Sequence, residues 1–187
     1  MTKNVTVALS GASGTAYAVN LLRKLSGLNV DVDLVLSDGA KLVMRAELRE
    51  MANLESMVTR AHSNDNLAAP IASGSYLSHG MVVAPCSSGT LAKIANGITD
   101  NLISRAAAVC LKEKRPLILL LREAPYSLPI IKNMLLAQEA GAIIMPASPS
   151  FYHNPKTIDD LLSTISERII DLLKIENPKA KRWSGHA

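Results

Sequence analysis

The sequence predicts an α/β fold, in which a single domain is built on a doubly wound parallel sheet with helices on both faces. Three observations support this prediction. Short apolar runs alternate with helical patterns along most of the chain. The runs are nearly continuous in hydrophobicity, as is typical of strands that are buried on both faces. The length of 187 residues suits one domain with a substantial core.

The first half of the chain alternates strand and helix twice before its periodicity is lost. Val5 to Leu9 is predicted to be a strand, and Thr15 to Leu25 a helix with apolar residues at intervals of three and four. Val30 to Leu36 and Gly39 to Arg49 repeat this order. Met51 to Ser78 is polar and irregular. We predict a long loop there, and such loops are usually functional or mobile.

The second half of the chain continues the alternation to its end. The predicted elements are a strand at Gly80 to Ala84, a helix from Thr90 to about Ala95, a helix at Asp100 to Lys112, a strand at Pro116 to Leu121, a helix at Leu128 to Ala140, a strand at Ala142 to Met145 and a helix at Ile158 to Ile175. Thr157 and Asp160 resemble a capping box before the last helix. We assign residues 1–175 to the domain and 176–187 to a C-terminal tail.

Composition excludes several classes of function. The formal charge is +4, but the basic residues are dispersed without interleaved aromatics, so we expect no binding of nucleic acid. No window approaches the roughly 18 apolar residues of a membrane span, and the N-terminus lacks the stages of a secretion signal. We therefore expect a cytoplasmic protein. Cys86 and Cys110 form no disulfide framework, and the histidines show no metal-ligand spacing. Few aromatics and many small residues suit packing of helix faces against copies of the same chain.

The residues that follow the strands are expected to form the ligand site, because ligands of such sheets bind outside the carboxyl ends of the strands. Most of these strand ends are rich in small hydroxyl residues or in charge. They are Ser10 to Gly14, Ser37 to Asp38, Pro85 to Thr90, Arg122 to Pro125 and Pro146 to Pro149.

Two of these strand ends precede helices and suit an anion. In the first, Gly11 and Gly14 permit a tight turn and close approach of a ligand, and the helix N–H groups favour a phosphate. A simple tight connection would explain the same glycines. In the second, Ser87, Ser88 and Thr90 offer three hydroxyls for phosphate or ribityl oxygens. An N-cap would use the same residue types.

Charged residues mark a third strand end. Arg122 and Glu123 follow a predicted buried strand and place a cation and a carboxylate side by side at the ligand edge. Such charges are rarely retained for packing alone, which favours a functional role. Arg105, Lys112 and Arg168 lie within predicted helices, where solvated surface charge is the ordinary explanation.

Nine short motifs occur in a fixed order along nearly the whole chain. They are Ser10 to Gly14, Ala72 to Ser75, Pro85 to Leu91, Asn101 to Ala106, Leu111 to Glu113, Arg122 to Pro125, Asn133 to Leu135, Phe151 to Pro155 and Arg182 to Trp183. Each motif is modest evidence by itself. The ordered set, at matching intervals, resembles the UbiX-like flavin prenyltransferases.

The resemblance implies a flavodoxin-like or Rossmann-like domain that binds reduced FMN and dimethylallyl monophosphate. It implies transfer of the prenyl group to N5 and C6 of the flavin without a metal, and use of the prenylated FMN by a partner decarboxylase. It also implies a homo-oligomer, a dodecamer, with sites between subunits. In many relatives the loop before Ser73 carries a tryptophan. Here Asn64 to Leu67 occupies that stretch without an aromatic residue.

The resemblance assigns roles by position. The flavin-binding residues are Gly11, Ala12, Ser13, Ser37, Ser87, Ser88, Gly89, Thr90 and Arg122. The contacts on dimethylallyl phosphate are Tyr152 and Arg168. The candidate catalytic residues are Ser13, Glu123, Lys112 and Arg105. Among these, Arg105 and Lys112 would donate to the departing phosphate, Glu123 would relay protons, and Ser13 would lie close to N5.

Two other functions remain open for this fold. Flavin-dependent cysteine decarboxylases carry a Pro-Ala-Ser-Ala-Asn-like turn and a Pro-x-Met-Asn segment, where this chain has Pro85 to Gly89 and Arg122 to Pro125. FMN electron carriers are usually acidic with aromatics beside the flavin, whereas this chain is basic and only 3% aromatic. Both alternatives are therefore less favoured than flavin prenylation.

Overall fold

The central sheet determines where every candidate residue lies. The computed structural model describes residues 3–48, 53–180, 182–183 and 185. Within these residues, six parallel strands form one sheet in the order β3-β2-β1-β4-β5-β6. The strands are β1 Asn4–Leu9, β2 Asp31–Leu36, β3 Arg60–Ser63, β4 Met81–Cys86, β5 Leu117–Leu121 and β6 Ile143–Pro146. The order reverses between β1 and β4, which confirms the doubly wound α/β fold.

Helices cover both faces of the sheet, as predicted. They are α1 Thr15–Gly27, α2 Asp38–Glu47, α3 Ser88–Ala95, α4 Leu102–Lys112, α5 Leu128–Glu139 and α6 Ile158–Leu172. The capping box before α6 is present, with reciprocal bonds between Thr157 and Asp160. α6 ends at Leu172, three residues before the predicted end, and Lys174 beyond it has a positive φ of 57°. None of the described helices is long and apolar enough to cross a membrane.

Two hydrophobic cores lie on opposite faces of the sheet and explain the continuous apolar runs. On β5, Ile118 and Leu120 face the core shared with α1 and α6, whereas Leu117, Leu119 and Leu121 face the core shared with α3 and α4. Successive residues of a strand point to opposite faces, so the positions of the central strands are mostly apolar, with Thr6 of β1 a buried exception. The chemistry of the chain is therefore confined to the strand ends, the loops and the outer surfaces of the helices.

The edge strand β3 corrects the prediction that residues 51–78 lack regular structure. Arg60–Ser63 pairs in parallel with β2, although three of its four residues are exposed. Hydropathy could not indicate this strand, because its stabilisation is polar. Arg60 and His62, two positions apart, both reach Asp33 on β2, with Arg60 Nε and His62 Nε2 at 2.8 and 2.7 Å from Oδ1.

Asp33 is the most heavily hydrogen-bonded carboxylate of the sheet. Its side chain is fully buried, and its Oδ2 accepts bonds from Arg60 Nη2, the Tyr76 hydroxyl and Asn4 Nδ2 at 3.1, 2.7 and 3.2 Å. Burial alone would raise the pKa of this carboxyl. The hydrogen bonds from Arg60, His62, Tyr76 and Asn4 outweigh burial and hold the pKa of Asp33 at about 2.

This depressed pKa gives stability a defined pH dependence. A carboxyl whose folded pKa lies below its ordinary value of 3.8 stabilises the fold above that value, and the contribution is lost as pH falls toward 2. We expect Asp33→Asn to lower the free energy of unfolding by about 2 kcal/mol at neutral pH, with the deficit shrinking between about pH 5 and 2. Urea unfolding of both proteins across that range measures the deficit. Asp31→Asn, at a more exposed carboxylate of the same strand, is the control, and a deficit that does not vary with pH contradicts the prediction.

Candidate functional site

The loops after β1 and β4 meet at the point where the strand order reverses. Buried Ser10 joins them, since its hydroxyl donates to the Pro85 carbonyl at 2.9 Å and accepts from the Ser87 N–H at 2.8 Å. The structure thus brings the predicted residues Gly11, Ala12 and Ser13 beside the Ser87–Thr90 turn. We call these two loops together the cradle.

The β2 end completes one side of the cradle. A Cβ on Gly11 would lie 3.2 Å from the Cα of Gly39, so the first turn of α2 approaches the β1–α1 loop backbone to backbone. The glycine at position 11 is therefore required by this packing, whether or not a ligand also approaches it. Ser37 is the N-cap of α2, and its hydroxyl accepts from the Ala40 N–H at 3.0 Å.

The start of α1 already holds an anion from the chain itself. The Glu47 carboxylate accepts the N–H groups of Gly14 and Thr15 at 2.9 and 2.8 Å. Burial raises the pKa of Glu47, but hydrogen bonds from Ser13, Thr15 and these amides lower it overall. The sequence predicted that this helix start binds a ligand phosphate; the position of Glu47 argues against a phosphate there, because a carboxylate and a phosphate would repel each other. Sequence analysis missed Glu47, which lies 33 residues from Gly14.

The start of α3 remains available to an anion. Ser87 is the N-cap, as one interpretation of the sequence required: its hydroxyl accepts from the Thr90 N–H at 3.3 Å and donates to the Thr90 hydroxyl at 3.1 Å. The N–H groups of Ser88 and Gly89 have no acceptor among the residues that the structure describes. A Cβ on Gly89 would meet nothing within 4 Å. This helix start can therefore both cap itself and bind a phosphate.

Arg122 and Glu123 lie at the carboxyl edge of the sheet but do not pair with each other. The Arg122 N–H bonds to the Cys86 carbonyl at 3.2 Å, and its Cγ lies 4.0 Å from the place of a Cβ on Gly14. The Glu123 carboxylate accepts the Ala124 N–H at 3.2 Å. Over the described ranges no ion pair joins the two side chains. Both charges therefore lack a counter-ion within the described part of the chain.

The two candidate cations on α4 lie at different ends of the helix, and Lys112 lies away from the cradle. Arg105 Nε donates to the Ala72 carbonyl at 3.0 Å, and Lys112 pairs with Glu113 beside Gly74. α4 leads to the amino end of β5, so Lys112 lies at the edge of the sheet opposite the cradle. Seven helical residues separate it from Arg105 by about 10 Å. One chain by itself therefore does not bring Lys112 to the cradle.

Tyr152 and Arg168 meet in a cavity of about 350 Å³ between the loop after β6 and α6. Trp183 of the tail packs edge-on to the Tyr152 ring at 5.4 Å. Arg182 fixes this part of the tail through a bidentate pair with Asp171 at 2.8 and 2.9 Å. The structure therefore joins the two predicted substrate contacts, and places Trp183 with them.

The candidate residues thus lie in separate groups within one chain.

α5 exposes an apolar stripe, in which Leu128, Ile131 and Leu135 are 63%, 48% and 58% exposed. Such a stripe at helical spacing suits burial against another copy of the chain.

Across the described part of the chain, no group of three or more His, Cys, Asp or Glu is arranged to hold a metal ion.

Comparison with known proteins extends over nearly the whole chain. A family model described as Flavoprotein matches residues 1–170. Flavin prenyltransferase UbiX of Deinococcus radiodurans is 49% identical over 178 residues, which cover 95% of this chain and 91% of that protein. AnUbiX (PadA1), solved with FMN and dimethylallyl pyrophosphate, is 38% identical with a TM-score of 0.96 and covers 100% of both chains. A dodecameric FMN-dependent UbiX-like decarboxylase from Escherichia coli O157:H7 is 38% identical with a TM-score of 0.92, covering 97% of this chain and 100% of its own.

Proposed function

The chain belongs to the UbiX-like flavin prenyltransferase family of flavoproteins, and from this premise we propose that it transfers a dimethylallyl group from dimethylallyl monophosphate to N5 and C6 of reduced FMN. The observation that carries the proposal is the full-length match to a protein solved with FMN and dimethylallyl pyrophosphate. The product, prenylated FMN, serves a partner decarboxylase. We propose the cytoplasm as the compartment of the reaction.

The FMN phosphate binds at the start of α3. Support comes from the free N–H groups of Ser88 and Gly89, the hydroxyls of Ser87 and Thr90, and the open space at Gly89. Glu47 excludes the phosphate from the start of α1.

The flavin ring consequently extends across the cradle toward the β1–α1 loop. This position brings it near Gly11, Ala12 and Ser13, with Ser37 on the β2 side and Arg122 beside Gly14. Ser13 contributes to the lowered pKa of Glu47, and we propose that this carboxylate orients the hydroxyl that we place close to N5.

The reaction chiefly requires stabilisation of the negative charge that develops on the departing phosphate. When bound and reduced, FMN supplies the nucleophilic nitrogen and carbon that accept the prenyl group. Breaking the allylic C–O bond leaves negative charge on the phosphate, which Arg105, Lys112 and Arg168 stabilise as cations and Tyr152 as a hydroxyl donor. Glu123, half-buried and without an ion pair among the described residues, relays the proton that ring closure releases.

The complete site forms between copies of the chain. Lys112 lies at the edge of the sheet opposite the cradle, and a reaction centre needs its groups within a few ångströms of the substrate. A homo-oligomer, a dodecamer as in the Escherichia coli neighbour, supplies the missing groups from adjacent subunits. The apolar stripe on α5 supports such assembly.

The decisive experiment follows the flavin itself. The protein is incubated anaerobically with reduced FMN and either dimethylallyl monophosphate or the pyrophosphate, and the flavin is analysed by mass spectrometry. We expect flavin heavier by one five-carbon unit with the monophosphate, and the second arm tests the donor. Unchanged flavin on folded, FMN-loaded protein contradicts the proposal. Release of carbon dioxide from a peptidyl cysteine would indicate a decarboxylase, and reversible redox cycling alone an electron carrier.

Placement of the phosphate at α3 has a test with a matched control. Gly89 and Gly27 are both helical, and a Cβ on either meets nothing within 4 Å, so alanine strains neither. We expect Gly89→Ala to weaken FMN binding by about tenfold or more, because the methyl group fills space needed by the phosphate and costs a charge-assisted hydrogen bond. Gly27→Ala should leave the FMN dissociation constant unchanged. Equal constants for the two variants would place the phosphate elsewhere.

Glu123→Gln separates proton transfer from binding. The amide keeps the size and much of the hydrogen bonding of the carboxylate but exchanges no proton. If Glu123 relays protons, the variant keeps the wild-type FMN dissociation constant, while single-turnover formation of prenylated FMN slows by about 10²- to 10⁴-fold. Weakened FMN binding with an unchanged rate at saturating flavin would instead show that Glu123 only orients a neighbour. Wild-type turnover would remove it from the catalytic residues.

A further inference from the structure

The loop from Ala72 to Tyr76, which we call the tethered loop, contacts both candidate cations of α4. The Ala72 carbonyl accepts from Arg105 Nε at 3.0 Å. Gly74 lies directly against the Lys112–Glu113 pair, since a Cβ on Gly74 would come within 2.6 Å of Lys112 Nζ. The position of this loop therefore limits where the Arg105 and Lys112 side chains can lie.

The tethered loop is anchored from two sides. Arg115 donates to the carbonyls of Gly74 and Tyr76, each at 2.7 Å. On the other side, the Tyr76 hydroxyl donates to Asp33 at 2.7 Å and accepts from Arg60 at 2.6 Å and Asn4 at 2.7 Å. Tyr76 thus connects the loop to the network that holds β3 on the sheet.

Between these anchors the loop has little else to hold it. Ser73 and Ser75 are exposed and bond to each other at 2.9 Å. The neighbouring Ala72 is buried, and the Tyr76 ring packs on the core beneath α4. Loss of the Tyr76 hydroxyl would therefore release one anchor while the ring could keep its packing.

We propose that Tyr76, held by Asp33, is a positioning residue for the phosphate-binding cations: it fixes the tethered loop against Arg105 and Lys112. Arginine and lysine side chains lose considerable rotamer entropy when they bind an anion. A fixed tethered loop restricts these side chains before the substrate binds, so less entropy is lost on binding. The inference rests on the proposed function, because it assigns the use of these cations to dimethylallyl phosphate. Tyr76 itself touches no substrate.

The test uses Tyr76→Phe in the FMN-loaded, full-length protein. We expect faster amide hydrogen exchange in peptides covering residues 73–76, and a KM for dimethylallyl monophosphate raised about fivefold to tenfold, because the variant loses the hydrogen bonds of the hydroxyl with Asp33, Arg60 and Asn4. The FMN dissociation constant should stay within about twofold, because the cradle lies at the other edge of the sheet. Tyr126→Phe is the matched control, since the Tyr126 hydroxyl has no hydrogen bond within the described ranges and its ring is 41% exposed.

Asp33→Asn alters the same hydrogen bond at its acceptor and shows whether the effect is specific to the Tyr76 variant. It should reproduce the rise in KM, whereas Asp31→Asn should not. A purely stabilising network would lower the melting temperature without changing KM at temperatures where the variants are folded. That result, or unchanged hydrogen exchange at residues 73–76 in Tyr76→Phe, overturns the proposal. Failure of the wild-type protein to form any prenylated FMN overturns the proposed function itself, and is distinguishable because it requires no variant.

Discussion

Burial of the central strands on both faces is the constraint on which the rest of the structure depends. Each residue of β5 is covered by one helix layer or the other, and the central parts of β1 and β4 are equally enclosed. A polar group there would lose its hydration without a partner. The chain consequently places its reactive groups where strands end, and Ser10 ties the two central strand ends into one cradle.

The cradle contains two helix starts that are used in opposite ways. At α1 the chain supplies its own anion, Glu47, which accepts the first N–H groups and neutralises the positive end of the helix. At α3 the capping serine satisfies only part of the helix end, and two N–H groups remain for a ligand. Under the proposed function this difference gives the site a direction, with the FMN phosphate at the start of α3 and the Glu47 carboxylate at the start of α1.

The candidate cations are distributed over the molecule rather than concentrated in the cradle. Lys112 is held at the opposite edge of the sheet, and Arg168 lies in the cavity beside Tyr152. Under the proposed function, oligomerisation is part of the catalytic design, because neighbouring subunits supply the groups that one chain does not bring together. It also gives structural features remote from the flavin, such as the Asp33 network and the loop that Tyr76 anchors, a route to influence substrate binding.

Local sequence determined the helices, the five apolar strands, the capping box of α6 and the small-residue turns at the strand ends. These features follow from hydrophobic periodicity and capping chemistry, which act within a few residues. Only the tertiary structure decided that Glu47 fills the start of α1, that Arg60–Ser63 is a strand, and that Lys112 lies far from the cradle. Each of these depends on residues brought together from distant parts of the chain, as when Asp33 gathers Arg60 and Tyr76. Hydrogen bonds and charge pairing between distant residues leave no periodic signal in any one segment, so the sequence by itself could not reveal them.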